Sequence, residues 1–572
     1  MPHPLSQLTR GALVWAVLVS APGLAAASPS GAYLAAMQAD LRNDYVAAAE
    51  YYGRALVQDG DNPALLQNAA VMEVAAGDVA AARPLADRLA EAMPDSQVAA
   101  LIRVADALAE ADYDAADRLL DEAGEAVNPL LGGLLAGWIA VGRQDFDAAV
   151  AAFDDMDANE ALAAYGQYHK ALALAFAGDF VSAERILAGD EESGPLHLNR
   201  GALIAHAEIL AQIDREDEAL AILDEALAGG IPDAAIADLR NRLAAGEQVA
   251  FSRIADALNG TAESYRTLAD ALDTRDSERI SLVHARLAAH IRPDMIEAHL
   301  LAAELLEAQD RYALATEALS RVPAGSPWFV TAEVRRANTQ REAGEPEAGV
   351  ATLAALAESH PDQIEVHSAH GDALRAEESF AEAAEAYSRA IELIDTPQQA
   401  HWVIFYTRGI AHERAGDWEA AEADFRQALE LQPDQPLVLN YLGYSLVERR
   451  ENLDEALDMI ERAVAGQPDD GYITDSLGWV LYRLGRYEEA VPHMLRAVEL
   501  TPDDAIINDH LGDVLWMVGR KREAEFQWRR ALSLGPADDL DMDRVRRKIE
   551  VGLDAVLEEA GAEGGDRAET DG

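Results

Sequence analysis

Small and apolar residues recur along the C-terminal half with a period close to 34. Gly409, Gly443, Gly478 and Gly512 come early in each period, Ala421, Ala456, Ala490 and Ala524 in the middle, and Ala428, Ala463, Ala497 and Ala531 late. Each late alanine stands five residues before a proline, and those prolines (Pro433, Pro468, Pro502, Pro536) are 35, 34 and 34 residues apart. The pattern predicts two helices per period. The early glycine and the middle alanine fall where the helices cross, because small side chains let two backbones approach. The residue four after the middle alanine (Phe425, Ile460, Met494, Trp528) is bulky and is predicted to fill the space between the helices. The late alanine faces the next period. Proline then stops the second helix, because it cannot continue the hydrogen-bond ladder. Between the helices a glycine stands beside a charged residue, in Gly416-Asp417, Gly485-Arg486 and Gly519-Arg520, a helix C-terminal signal. One period carries an extra residue in its turn, Glu448 to Asn452, which accounts for the spacing of 35.

Upstream the pattern persists but loosens. Gly371, Ala383, Tyr387 and Ala390 make a further good unit, and Gly344 and Pro361 mark a weaker one. Ala36, Ala48, Tyr52 and Ala55 keep the spacing, as do Ala70, Gly77, Ala82 and Pro94. So do Ala171, Gly178 and Ala183, and Ala207, Ala219 and Ala226 before Pro232. The array is expected from about residue 30 to about residue 540, with room for up to about 15 units. Its phase is weakest between Pro232 and Ala262. The expected division is an N-terminal degenerate array over 28–246, an irregular helical junction over 247–262 and a C-terminal array over 263–540. A capping helix over 541–559 and an acidic, Gly-rich, disordered tail over 560–572 complete it.

A 34-residue period with these markers is the signature of the tetratricopeptide repeat, and nearly the whole chain after residue 27 resembles that family. The resemblance implies an all-α fold, a right-handed superhelical solenoid of helix pairs whose first helices line the concave face. Three runs make it more particular: Asn440-Tyr-Leu-Gly-Tyr-Ser-Leu, Asp475-Ser-Leu-Gly-Trp-Val-Leu-Tyr-Arg-Leu-Gly-Arg-Tyr and His510-Leu-Gly-Asp-Val-Leu-Trp. They are similar to the C-terminal repeats of envelope tetratricopeptide proteins, among them the lipoprotein adaptor of a periplasmic carboxyl-terminal processing protease. That likeness implies partners: a processing protease and cell-wall hydrolases, held together so that the hydrolases are degraded.

Positions 2, 5, 9 and 12 of each first helix are expected to point into the concave groove. In the last three periods they include Asn440 and Tyr444; Tyr472, Asp475, Trp479 and Tyr482; and Asp509, Asp513 and Trp516. An aromatic groove with carboxylate accents suits peptide segments, since aromatic anchors dominate protein interfaces. The alternative is that some of these aromatics pack between neighbouring units. The Lys/Asn/Arg set with which some family members clamp a peptide carboxylate is missing at these positions, so the resemblance does not imply a C-terminal carboxylate as ligand.

Composition narrows the partners. A chain of 572 residues exceeds a single compact core, a limit that an array escapes because each unit packs only on its neighbours. Hydrophobic residues make up 50% but aromatics only 6%, with alanine filling much of the difference, which favours closely packed helices. Against 46 Lys plus Arg stand 102 Asp plus Glu, a net charge of −56. That argues against nucleic acid and against anionic membrane surfaces. It leaves a basic protein partner, or simply a solvated face that keeps a long array soluble. With no cysteine there is no disulfide, no thiol chemistry, no Cys metal site and no lipoprotein-type lipid anchor.

The first 27 residues read as a secretory signal: Arg10, an apolar stretch over Gly11 to Ala21, a break at Pro22-Gly23, and small residues at Ala25 and Ala27 before the expected cut. An uncleaved anchor or a buried first helix is the alternative. Periplasmic or extracellular residence follows, with no transmembrane segment in the mature chain. His367, His370, His401 and His412 raise the question of a metal, but they fall in adjacent periods without a fixed geometry and read as packing or surface histidines. No phosphate loop, nucleophile elbow or zinc-protease motif is present. The expectation is a non-enzymatic scaffold or adaptor without a cofactor. The competing reading is a structural component of an envelope export or outer-membrane assembly complex.

Overall fold

Helical hairpins follow one another along the chain because each period offers two helical segments joined by a residue that accepts a left-handed turn. Gly416 and Gly485 take that turn with φ of +89° and +75°. Asn43, Ala111, Gln144, Asp214, Asp310 and Glu378 take it without glycine, at φ between +54° and +65°. In the N-terminal periods an aspartate follows at once and caps the second helix. Asp44, Asp78, Asp112, Asp145 and Asp179 each accept a backbone N–H from three residues on, and they recur every 33 or 34 residues. Part of the chain's acidity is therefore structural.

A computed structural model describes residues 29–559 apart from 190–193, 197–198, 229–232, 273–276 and 536–539. The signal over 1–27, the tail over 560–572, Pro232 and Pro536 lie outside the described residues. Every regular element among the described residues is a helix, and the fold is an all-α solenoid of helix pairs. No described helix is long and apolar enough to cross a membrane.

The predicted crossing is present in each C-terminal period. A methyl group on Gly409 would stand 2.7 Å from Phe425, on Gly443 2.8 Å from Ile460, on Gly478 2.7 Å from Met494 and on Gly512 2.3 Å from Trp528. All four bulky residues are fully buried.

The chain divides into two units between Gly344 and Glu345, not at residues 247–262. In the first unit, the segment expected as a helical junction is a non-helical strap over 247–256 that leads into the helix Ala257–Ala271. The strap is pinned because the Glu208 carboxylate accepts from Ser252 N (2.9 Å), Ser252 Oγ (2.6 Å) and Arg253 N (3.2 Å). Instead of opening a second array, the helix Ala257–Ala271 packs on helices Gln97–Ala109, Pro129–Gly142 and Glu160–Phe176. The next helix, Glu278–Ile291, packs on Pro63–Ala76, Val79–Ala92 and Gln97–Ala109. Most of these are the first helices of their hairpins, so this hairpin fills the face that such an array normally offers to ligands.

Gly260 through Ala269 are all buried although half of them are polar. Each polar group finds a partner. Glu263 receives Arg253 (2.9 and 3.0 Å), Arg266 (2.6 and 2.9 Å) and the Tyr168 hydroxyl (3.2 Å). Those guanidinium groups outweigh burial and hold the Glu263 carboxyl well below the usual range. Trp138 Nε1 donates to His169 Nδ1 at 2.8 Å, so the proton of that ring is on Nε2, which donates to Thr267 Oγ1 at 3.0 Å. Burial pushes His169 down to about 3, so it is neutral. Tyr265 donates to the Leu101 carbonyl at 3.0 Å. Trp138 lies so close to Gly260 that a methyl there would stand 2.0 Å from its ring.

The second unit ends in a cap that is not one helix. Met542–Val551 is helical, Gly552 breaks it at φ +88°, and 553–559 is helical again. The break lets the chain turn over Trp516, whose ring would lie 2.4 Å from a methyl on Gly552.

Candidate functional site

Four successive first helices of the second unit (Trp402–Arg414, Pro436–Arg449, Gly471–Arg483 and Ala505–Met517) border a cavity of about 550 Å³. Its walls include Asn440, Tyr444, Tyr472 and Asp475, four of the nine residues expected in the groove. Tyr472 is 58% exposed, an aromatic ring left uncovered at the rim. Asp475 is only 5% exposed, and it is split in use. Its Oδ2 accepts from His510 Nδ1 at 2.9 Å, while its Oδ1 is enclosed with no hydrogen-bond partner among the described residues. Asn440 Oδ1 is in the same condition. Two buried acceptors without donors on one cavity wall are costly unless something brings a donor.

Trp479 and Tyr482 serve the wall rather than the opening. Trp479 is stacked between Tyr482 (4.8 Å between centroids) and His510 (3.9 Å), and its Nε1 donates to Glu448 at 2.8 Å. Burial opposes charge on His510, but the contact with Asp475, with Asp509 and Asp513 behind it, outweighs burial and raises its pKa. The ring is hydrogen-bonded to the Asp475 carboxylate and stacked on the Trp479 indole, an arrangement that favours its protonated form.

Asp509, Asp513 and Trp516 do not line the open groove. Lys548 of the cap, 2% exposed, reaches in and donates to Asp509 Oδ2 (2.7 Å) and Asp513 Oδ2 (2.8 Å). Asp513 Oδ1 also accepts from Trp528 Nε1 at 2.9 Å. Trp516 packs against Trp528 at 5.3 Å and under Gly552. Carboxylates this deeply enclosed need a matching cation, and the cap supplies it.

The cavity also has walls that single-helix positions do not reveal. Glu413 and Arg414 come from the last turn of one helix, and Asp504, Ile506 and Ile507 from the first turn of another. Tyr441, half-buried, donates to Glu413 at 3.3 Å. His510 stands one residue past the equivalent of Asp475 in the next period, and that offset is what turns it onto Asp475 and Trp479. Glu413, Asp475 and Asp504 stand in the lining against Arg414 and against His510, which is paired with Asp475, so the acidic excess rests on Glu413 and Asp504.

Among the described residues no group of three or more His, Asp or Glu side chains is placed to hold a metal. His367 Nε2 instead contacts the Pro361 carbonyl at 2.9 Å, and His401 Nδ1 accepts from Gln398 N at 2.9 Å. His412 stands 3.9 Å from Asp424.

A tetratricopeptide repeat family model matches residues 334–400 and 406–471, and a second such model matches 475–504. A TPR repeat-containing protein of Pseudomonas aeruginosa is 29% identical over 190 residues, 33% of this chain and 31% of that protein. The match thus spans about a third of that relative's length. The APC/C hetero-tetramer Cut9-Hcn1 aligns over 92% of this chain and 97% of its own at 16% identity, with a TM-score of 0.37. A tetratricopeptide repeat protein from Parabacteroides merdae aligns over 45% and 98% at 16% identity, with a TM-score of 0.36.

Proposed function

We propose that this chain, which carries tetratricopeptide repeats within residues 334–504, is an exported, non-enzymatic adaptor that holds segments of other proteins in the groove of its second unit. Repeats of this kind bind proteins or peptides. The observation that carries the reading here is the cavity wall itself: an exposed Tyr472 beside two enclosed acceptors, Asp475 Oδ1 and Asn440 Oδ1, that have no donor among the described residues. A peptide in extended form supplies what is missing, backbone N–H groups and side chains to pack on a ring. The acidic lining favours a segment with Lys or Arg. The finer reading, that the partners are a periplasmic processing protease and the cell-wall hydrolases it degrades, rests on the likeness of the runs beginning at Asn440, Asp475 and His510.

The test is affinity capture from cell-envelope extract with tagged full-length protein, and with a Tyr472→Ala, Asn440→Ala variant of unchanged helicity. The adaptor reading expects a processing protease and hydrolases with the parent protein and their loss with the variant. Recovery of an export or assembly complex would replace it. Retention of every partner by the variant would remove the groove from the reading. Sequencing the N-terminus of the mature protein tests export: Ser28 as first residue is expected.

A further inference from the structure

One cavity of the first unit runs against the electrical character of this acidic chain. About 220 Å³ in volume, it is lined by Arg286, Arg321, His290 and His299, with Glu317 as its one acidic residue and the turn at Gly77 on its far side. Arg286 comes from the helix Glu278–Ile291 and is 8% exposed. Its Nε and Nη2 are enclosed and have no hydrogen-bond partner among the described residues. The guanidinium carbon lies 3.4 Å from where a methyl on Gly77 would stand, an ordinary contact distance that places the guanidinium against that turn. The nearby carboxylate of Glu317 is taken by Arg321 at 3.0 Å. Enclosed arginines elsewhere in this unit are treated differently: Arg253 and Arg266 both meet Glu263 within 3.0 Å.

A buried guanidinium with open donors is expensive unless an anion meets it. Its planar fork fits the oxygens of a carboxylate or a phosphate. His299 adds an unpartnered acceptor, which can meet only a proton-bearing oxygen of the ligand. Its Nε2 donates to the Pro293 carbonyl at 2.9 Å, and its Nδ1 has no partner among the described residues. His290, on the same helix as Arg286, faces Asp106 at 3.4 Å. The volume is below that of pockets built for drug-sized molecules and suits a single small group.

We propose that this cavity binds a small oxyanion, a phosphate or a carboxylate, anchored by Arg286 with Arg321 at its mouth. The site is separate from the peptide groove and does not depend on that reading. The experiment is calorimetric titration of the full-length protein with sodium phosphate and, in a second arm, sodium acetate, each against sodium chloride of equal ionic strength. Saturable binding of one anion per chain is expected. Binding of phosphate alone assigns a phosphate-bearing ligand, and binding of acetate assigns a carboxylate. Arg286→Gln should weaken the bound anion by at least about tenfold, the worth of a charge-assisted pair. Arg321→Gln, at a side chain 60% exposed and so harmless to folding, should weaken it measurably too. Absence of binding by either anion up to about 10 mM, an affinity weaker than any useful site, overturns the proposal. So does unchanged affinity in folded Arg286→Gln or, should that variant not fold, in Arg321→Gln.

Discussion

Two glycines in helices have opposite reasons to be glycine. At Gly512 a methyl would meet Trp528 Nε1 at 2.3 Å, and that indole is fixed by its bond to Asp513. At Gly53, within the helix Tyr45–Leu56, nothing lies within 4 Å. Gly512→Ala should therefore destabilise by about 1–3 kcal/mol despite alanine's better helix propensity. Gly53→Ala should stabilise by about 0.5–1 kcal/mol. Urea unfolding of the two variants measures both, and equal signs would refute the crossing argument. His510 gives a second residue-scale test. Its pKa is raised in the fold by Asp475, with Asp509 and Asp513 behind and Lys548 holding those two. A raised histidine contributes stability in full below its unfolded value of about 6.5 and loses it as pH rises through the folded value. Unfolding free energy measured from about pH 6 to 9 should fall more steeply for the parent than for His510→Gln. Parallel curves would mean that the ion pair contributes nothing.

Elements were legible where the sequence used residues with one mechanical meaning. Gly409, Gly443, Gly478 and Gly512 have no other use than a close crossing, and each is at one. In the N-terminal half the same turns are made by Asn43, Ala111 or Gln144, residues common everywhere, and the steady marker is the capping aspartate after them. The cap at the C-terminus was half legible. Its helix was expected, but a lone lysine on an outer helix gives no sign that it will be buried, so Asp509 and Asp513 read as groove residues. Lys548→Met tests the element. It leaves two carboxylates enclosed without their cation and should cost about 3–5 kcal/mol. The exposed Arg547–Glu559 pair on the same cap should tolerate Arg547→Ala with little change. Comparable losses from the two variants would mean that the cap is held by its apolar contacts instead.

At the scale of the whole molecule, burial and polarity part company in both directions. Residues 260–269 are half polar in sequence and yet buried throughout, because charge there is matched pair by pair around Glu263. No periodicity can show that, since the partners come from residues 168 and 253 as well as from the helix itself. Glu263→Gln should destabilise the first unit by about 3–5 kcal/mol, read as faster amide exchange over 260–269. The opposite case is the net charge of −56, which reaches the groove through Glu413 and Asp504. A field of that sign acts before contact, on approach, and is screened by salt over about 10 Å at 0.1 M. If the groove takes basic segments, raising NaCl from about 0.05 to 0.5 M should slow association by about tenfold or more and change dissociation little. The measurement is stopped-flow or surface-based kinetics with a Lys/Arg-containing peptide and its Gln-substituted twin. The twin should show no such dependence. Equal salt response of both peptides would show that the acidity of this chain serves its solubility alone, and that Tyr472 and the open acceptors beside it select partners by shape and hydrogen bonding.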